Sequence, residues 1–214
     1  MIQIALLTYN PFAENTYVLY DESLEALVID PGMQSPAEQA HFQEFVQQNQ
    51  LKVVGLLNTH CHVDHVFGNQ FVKDTYQVGL QIHKLDLPTL QAAQIAAQMY
   101  NIRPFVPSTP DSFLEAGEVI NFGNNSTLEV LFVPGHAPGH VAFLSREQNF
   151  VIGGDVLFRQ SIGRTDFPGC NHQDLLNSIR TQLFTLPNDL RVYPGHGLET
   201  TIGYEKQYNP FLQD

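Results

Sequence analysis

The sequence predicts an α/β chain of two sheets with helices on their outer faces, and three observations carry that reading. Strand-like and helix-like segments alternate in blocks through both halves of the 214 residues. The second half repeats the first as a rough echo. Four apolar runs each stop at a histidine or an aspartate, as happens where strands give way to loops that carry a site.

The length suits one domain, residues 1–214. An apolar content of 43%, with 15 Phe and 8 Tyr, supports a packed core and excludes a disordered chain. A formal net charge of −12 argues against a nucleic-acid partner, because phosphate binding needs a concentrated positive surface. The first basic residue is Lys52, so neither a secretory signal nor a mitochondrial presequence is expected. No apolar run approaches the ~20 residues that cross a bilayer, so no membrane partner is expected. Cys61 and Cys170 read as free thiols of a reducing compartment, which places the chain in the cytoplasm.

In order, residues 2–7, 16–20 and 26–29 read as strands joined by polar turns at Asn10-Pro11, Asn15 and Asp30-Pro31-Gly32, an antiparallel meander. Ser35-Pro36-Ala37-Glu38 supplies an N-cap, a first-turn proline and an acid at the third position, and Phe42, Phe45 and Val46 continue at helical spacing. A strand over 53–57 follows, then a short helix over 70–75 and a strand over 77–82. The helical pattern of Leu90, Ala93, Ala97 and Tyr100 predicts a helix over 85–100 that Pro104, Pro107 and Pro110 cannot continue. Residues 85–112 read as an excursion bordering the site, either a plain connecting helix, which is favoured, or a lid. The second half holds strands over 128–133, 141–144, 150–152 and 190–193, with a helix over 173–184.

The chemistry collects at Thr59-His60-Cys61-His62-Val63-Asp64-His65, directly after the apolar run Val53 to Leu57. Imidazoles and a carboxylate crowded at the end of a buried strand need partners, and a divalent cation suits both ligand types. Phe132-Val133-Pro134-Gly135 leads likewise to His136, Val151-Ile152-Gly153-Gly154 to Asp155, and Val192-Tyr193-Pro194-Gly195 to His196. Extended backbone would set His60, His62 and Asp64 on one side and Cys61 and Val63 on the other, while His65 breaks that alternation and can point towards a second ion if the backbone turns there. Seven ligands exceed one zinc site and fit two ions. No Gly-x-Ser-x-Gly elbow and no phosphate-cradling loop is present.

These residues resemble the His-x-His-x-Asp-His motif of the metallo-β-lactamase superfamily, with His136, Asp155 and His196 in the order of its remaining ligands. The resemblance spans nearly the whole chain and implies an αββα sandwich with the ions at one edge. It also implies His60, His62 and His136 on the first metal, Asp64, His65 and His196 on the second, and Asp155 between them. Pro134 to His140, Ser161-Ile162-Gly163-Arg164-Thr165-Asp166-Phe167 and Pro194 to Gly197 look most like the glyoxalase II group, in its short bacterial form, since only 18 residues follow His196. That likeness implies hydrolysis of a glutathione thioester such as S-lactoylglutathione. A water shared by two divalent ions, zinc first and iron or manganese as alternatives, would ionise near pH ~7 and attack the carbonyl, with Asp64 helping to orient it. Two other activities of similar proteins are kept open: glutathione persulfide dioxygenation on a single iron, and lactone hydrolysis.

Arg159, Arg164 and Lys206 are the basic residues expected near the site for the glutathione carboxylates, with internal Arg164–Asp166 pairing as the rival reading. Asp30 either orients a ligand histidine or stabilises its turn. His140 is expected to support the ligands from behind; His41, His83 and His172 carry no such claim. Tyr204, Tyr208 and Phe211 either wall the pocket or anchor the tail.

Overall fold

Along the second and third strands the two-residue period sorts side chains into two cores. Tyr17, Leu19, Leu27 and Ile29 point to one face and Val18, Ala26 and Val28 to the other, and all are buried. A strand covered on both faces reads as a continuous apolar run, which is why these segments lack polar alternation. The same sorting holds in the second half, where Leu128, Val130, Phe143 and Ile152 share the first core and Leu131, Ala142, Leu144 and Val151 enter a third.

The computed structural model describes residues 1–213. Its first sheet runs in the order β1 (Gln3–Tyr9), β2 (Glu14–Tyr20), β3 (Glu25–Ile29), β4 (Lys52–Leu57), β5 (Leu80–His83), β6 (Ser112–Leu114). The first three strands are the expected antiparallel meander and the rest are parallel. Parallel neighbours need crossovers, and α1 (Pro36–Gln48), α2 (Asn69–Tyr76) and α3 (Leu87–Met99) supply them. The second sheet contains β7 (Val119–Phe122), β8 (Ser126–Phe132), β9 (Val141–Ser145), β10 (Phe150–Gly154), β13 (Arg191–Pro194) and β14 (Thr200–Thr201), in the order β14-β13-β10-β9-β8-β7. Between β10 and β13 the chain makes a small hairpin, β11 (Leu157–Phe158) with β12 (Ser161–Ile162), and then α4 (His172–Ser178), prolonged by a wider turn over Ile179–Leu183. The sheets share the Tyr17–Phe143 core between them, and helices cover both outer faces, so the order of layers is αββα.

Local signals explain most boundaries. Ser35 and Glu38 form the reciprocal capping box at the start of α1. Gln77, with φ of 57°, closes α2 in the left-handed region, so the next strand begins at Leu80 rather than at 77. A 3₁₀ turn over Lys84–Asp86 delays α3 to Leu87. Helix α5 (Ile202–Tyr208), capped by Thr201, was not anticipated. Among the described residues no helix is long and apolar enough to cross a membrane.

Candidate metal centre

Strands β4, β8, β10 and β13 point their C-terminal ends at one edge of the sandwich, and each end delivers a cluster residue: His60, His136, Asp155 and His196. After β4 the chain bends at Thr59, is extended at His62 (φ −63°, ψ 153°) and then folds into a 3₁₀ turn over Val63–His65. The expected two-residue alternation therefore stops at His62, and the turn places Asp64 and His65 together, facing His196. Glycine is required where these ends meet. A Cβ on Gly195 would lie 2.1 Å from Asp155 Oδ1 and 2.7 Å from His65 Cε1.

Three groups of three have ligand atoms within 4.8 Å of one another: His60, His62 and His136; Asp64, His65 and His196; and Asp30, His60 and His65, which takes one histidine from each of the first two. His62 Nδ1 and His136 Nε2 approach to 2.8 Å. His196 Nε2 lies 3.2 Å from Asp64 Oδ2, and His65 Nε2 lies 3.8 Å from the same oxygen. Asp155 stands between the groups: Oδ1 is 3.5 Å from His65, while Oδ2 is 3.5 Å from His136 and 3.6 Å from His196. His60 Nε2, His65 Nε2 and Asp155 Oδ1 are buried without a hydrogen-bond partner. Orphaned buried acceptors converging on one space are what a cation site leaves when its ion is set aside.

Contacts behind the cluster decide which nitrogen faces inward. The outward Nδ1 atoms meet Thr59 Oγ1 for His60 (3.1 Å), Asp30 Oδ2 for His65 (3.1 Å), the Arg164 carbonyl for His136 (2.8 Å) and the Phe12 carbonyl for His196 (3.1 Å). In the last three, Nδ1–H donates to oxygen, so Nε2 is the nitrogen turned toward the cluster. Asp30, itself at φ 50°, also accepts from the Thr59 backbone and hydroxyl (2.7 and 2.5 Å), so it orients a cluster histidine and the turn together. His140 stacks on His60, and its Nε2 accepts the Asp155 N–H at 3.0 Å. Cys61 faces the core on the opposite side, and burial pushes its thiol up.

The two groups differ in charge. Burial holds His60 and His136 neutral, well below the ordinary imidazole range for His60, and lowers His62 to about 3. In the other group burial also opposes charge, yet Asp155 and Asp64 outweigh it at His65, and Asp64 and Asp155 do so at His196, so both imidazoles are raised. The same neighbours hold Asp64 and Asp155 ionised despite burial.

The basic residues fare unevenly. Arg164 makes a two-pronged pair with Asp166 (2.7 Å each) and lies 4.1 Å over Phe167, whose ring meets His62 at 5.2 Å; the rival pairing is thus present, beside the cluster. Arg159 lies over Tyr204 at 5.3 Å on the hairpin whose Phe158 reaches His196. Lys206 is a correction: α5 directs its ammonium to Asn188 (3.0 Å) and the Phe184 ring, away from the cluster. Tyr204 supports the hairpin tip by bonding Gln160, while Tyr208 and Phe211 are half-exposed.

Three contributors were missed. Glu14 is fully buried with Oε1 unpartnered 3.9 Å from His65 Nδ1, and burial raises it well above the usual carboxyl range. Asn15 reaches the carbonyls of Pro194 (3.0 Å) and Gly197 (2.9 Å), fixing the His196 turn. Asp86, buried before α3, accepts the N–H groups of Cys61 and Gly139. Only polar residues opening an otherwise apolar strand, as Glu14-Asn15-Thr16 do, could have signalled any of them.

Residues 9–196 match the model of the metallo-beta-lactamase superfamily. The chain belongs to this superfamily. It is 34% identical to the hydroxyacylglutathione hydrolase GloC of Haemophilus influenzae over 99% of this chain and 98% of that one. Its fold superimposes on the crystal structure of the BLEG-1 B3 metallo-beta-lactamase with a TM-score of 0.90 at 34% identity, covering 99% of this chain and 100% of that one. On TTHA1623 in a di-iron-bound form the TM-score is 0.87 at 37% identity, covering 97% and 100%. This superfamily member is therefore a hydrolase-type enzyme with a histidine-rich cluster for divalent metal.

Proposed function

We propose that the chain hydrolyses a small glutathione-derived thioester of the S-lactoylglutathione type, using two divalent cations. The observation that carries the metal half is Asp155, set between two three-residue groups, with its Oδ1 and the Nε2 atoms of His60 and His65 buried and without a hydrogen-bond partner. His60, His62 and His136 would hold one cation and Asp64, His65 and His196 the other. Bound there, divalent ions supply Lewis acidity that ionises water near neutral pH and offsets the oxyanion of acyl transfer. Zinc suits this donor set first, and iron or manganese also do.

The chain's own groups do the rest. Thr59, Asp30, the Arg164 carbonyl and the Phe12 carbonyl hold the imidazoles in their orientations, so no reorganisation is needed during turnover. Asp64 keeps a carboxylate at Oδ2 beside His196, at the more open end of the cluster, where it can orient water. Arg164 is exposed on Phe167 next to His62 and can exchange Asp166 for a substrate carboxylate, while Arg159 lines the hairpin nearby. The glutathione half draws support from GloC at 34% identity over the full length. Cytoplasmic residence is supported by two free cysteines.

Purified protein assayed with S-lactoylglutathione, alongside elemental analysis, tests this reading. Thioester loss with about two metals per chain is the expected result. Oxygen uptake with glutathione persulfide and one iron would replace it with the dioxygenase, and turnover of acyl lactones alone would replace it with the lactonase.

A further inference from the structure

One buried carboxylate outside both ligand groups touches the backbone of two ligand loops. Asp86 is fully buried at the end of the 3₁₀ turn that precedes α3. Its Oδ2 accepts the Cys61 N–H at 2.5 Å, and its Oδ1 accepts the Gly139 N–H at 3.1 Å and the Thr89 hydroxyl at 3.3 Å. Cys61 lies between His60 and His62. Gly139 closes the loop that starts at His136 and ends at His140, the residue that receives the Asp155 N–H. The loops belong to different sheets, β4 in the first and β8 in the second.

We infer that Asp86 is a positioning residue for the His60, His62 and His136 group, fastening its two loops to each other at the spacing a cation needs. The inference rests on the metal reading above. The fit at the join is close: a Cβ on Gly139 would stand 2.4 Å from the Asp86 backbone nitrogen and 2.6 Å from its Cβ. Both oxygens face donors, so an amide in the same place would turn its NH₂ against one of them and break one tie without changing shape. The other ligand group is held by different residues. Asn10 donates to the Asp64 carbonyl at 3.0 Å, Asp30 takes His65, and the Phe12 carbonyl takes His196. Loosening Asp86 should thus act on one group and spare the other.

The test is titration of metal-free protein with Zn²⁺ against a chromophoric chelator, comparing wild type with Asp86→Asn and Gly139→Ala. Cobalt spectra of His62→Ala and His196→Ala supply the signature of each group alone. The expected result is that one dissociation constant rises about 10- to 100-fold in both variants, the size typical of lost support behind a metal ligand, while the other stays put. The cobalt spectrum should then lose the features absent from His62→Ala. Gly139→Ala leaves the carboxylate intact and moves the loop off it, so it decides the matter if Asp86→Asn does not fold. Equal weakening of both constants, or of neither, overturns the positioning role while leaving the metal reading intact. A wild-type protein that takes up no zinc at either place overturns both.

Discussion

The two ligand groups sit side by side yet are built on opposite electrostatic plans. His60 and His136 are buried and His62 half-buried, and desolvation holds all three imidazoles below the ordinary range. Asp64, His65 and His196 combine a carboxylate held ionised with two imidazoles pushed up by their acidic neighbours. The imidazoles of the first group are lowered and those of the second raised, so a cation entering the second would compete with protons. Asp155 stands between the two groups, with one oxygen toward His65 and the other toward His136 and His196.

The largest expected effect comes from breaking the neutral group. His62→Ala should lose its cation and cut S-lactoylglutathione hydrolysis by more than about a hundredfold, since even support behind a ligand is worth 10- to 100-fold. Elemental analysis and kcat read both, and retained metal with full turnover would remove His62 from the centre. Next, Asp155→Asn should weaken zinc at both groups, because its two oxygens face different ones; a loss confined to one group, read by chelator competition, would end its place between them. The contrast is sharpened by pH. His65 and His196 keep their protons to higher pH than a free imidazole with its value of 6.5, whereas His62 gives its proton up at about 3. As pH is lowered, zinc should therefore leave the carboxylate-bearing group first, seen as occupancy falling from two to one before reaching zero. Loss from the imidazole group first would reverse the assignment. The smallest effect belongs to Arg164→Ala. It should raise KM for a glutathione thioester about three- to tenfold and spare kcat, because the Arg164 carbonyl, not its guanidinium, holds His136. An unchanged KM would retire the guanidinium as a substrate contact.

Much of this was legible because ligands sit at strand ends. Val53 to Leu57 running into His60, and Pro134-Gly135 into His136, show in the sequence both the element and where it stops. The capping box at Ser35 and Glu38 was equally plain. The 3₁₀ turn at Val63–His65 was legible only through His65 falling out of the two-residue alternation; its three residues carry no turn signature, so the place where the chain leaves the extended path, before Asp64, was not. Lys206 was misplaced for a related reason: nearness to His196 in sequence said nothing of α5, which turns that side chain toward Asn188. Glu14 and Asp86 escaped notice because an isolated acid in a strand or a turn reads as a surface residue, and their burial depends on contacts with segments far along the chain.

One further consequence concerns synthesis. Asn15 secures the turn that presents His196, across 179 and 182 positions of sequence to Pro194 and Gly197, and the Phe12 carbonyl orients the His196 ring. On the ribosome the imidazole trio is complete once His136 has emerged, whereas the second trio waits about a further 3–12 s at typical elongation rates of ~5–20 residues per second. The imidazole trio can thus assemble before the other trio, which waits until the opening hairpin has met the last strands.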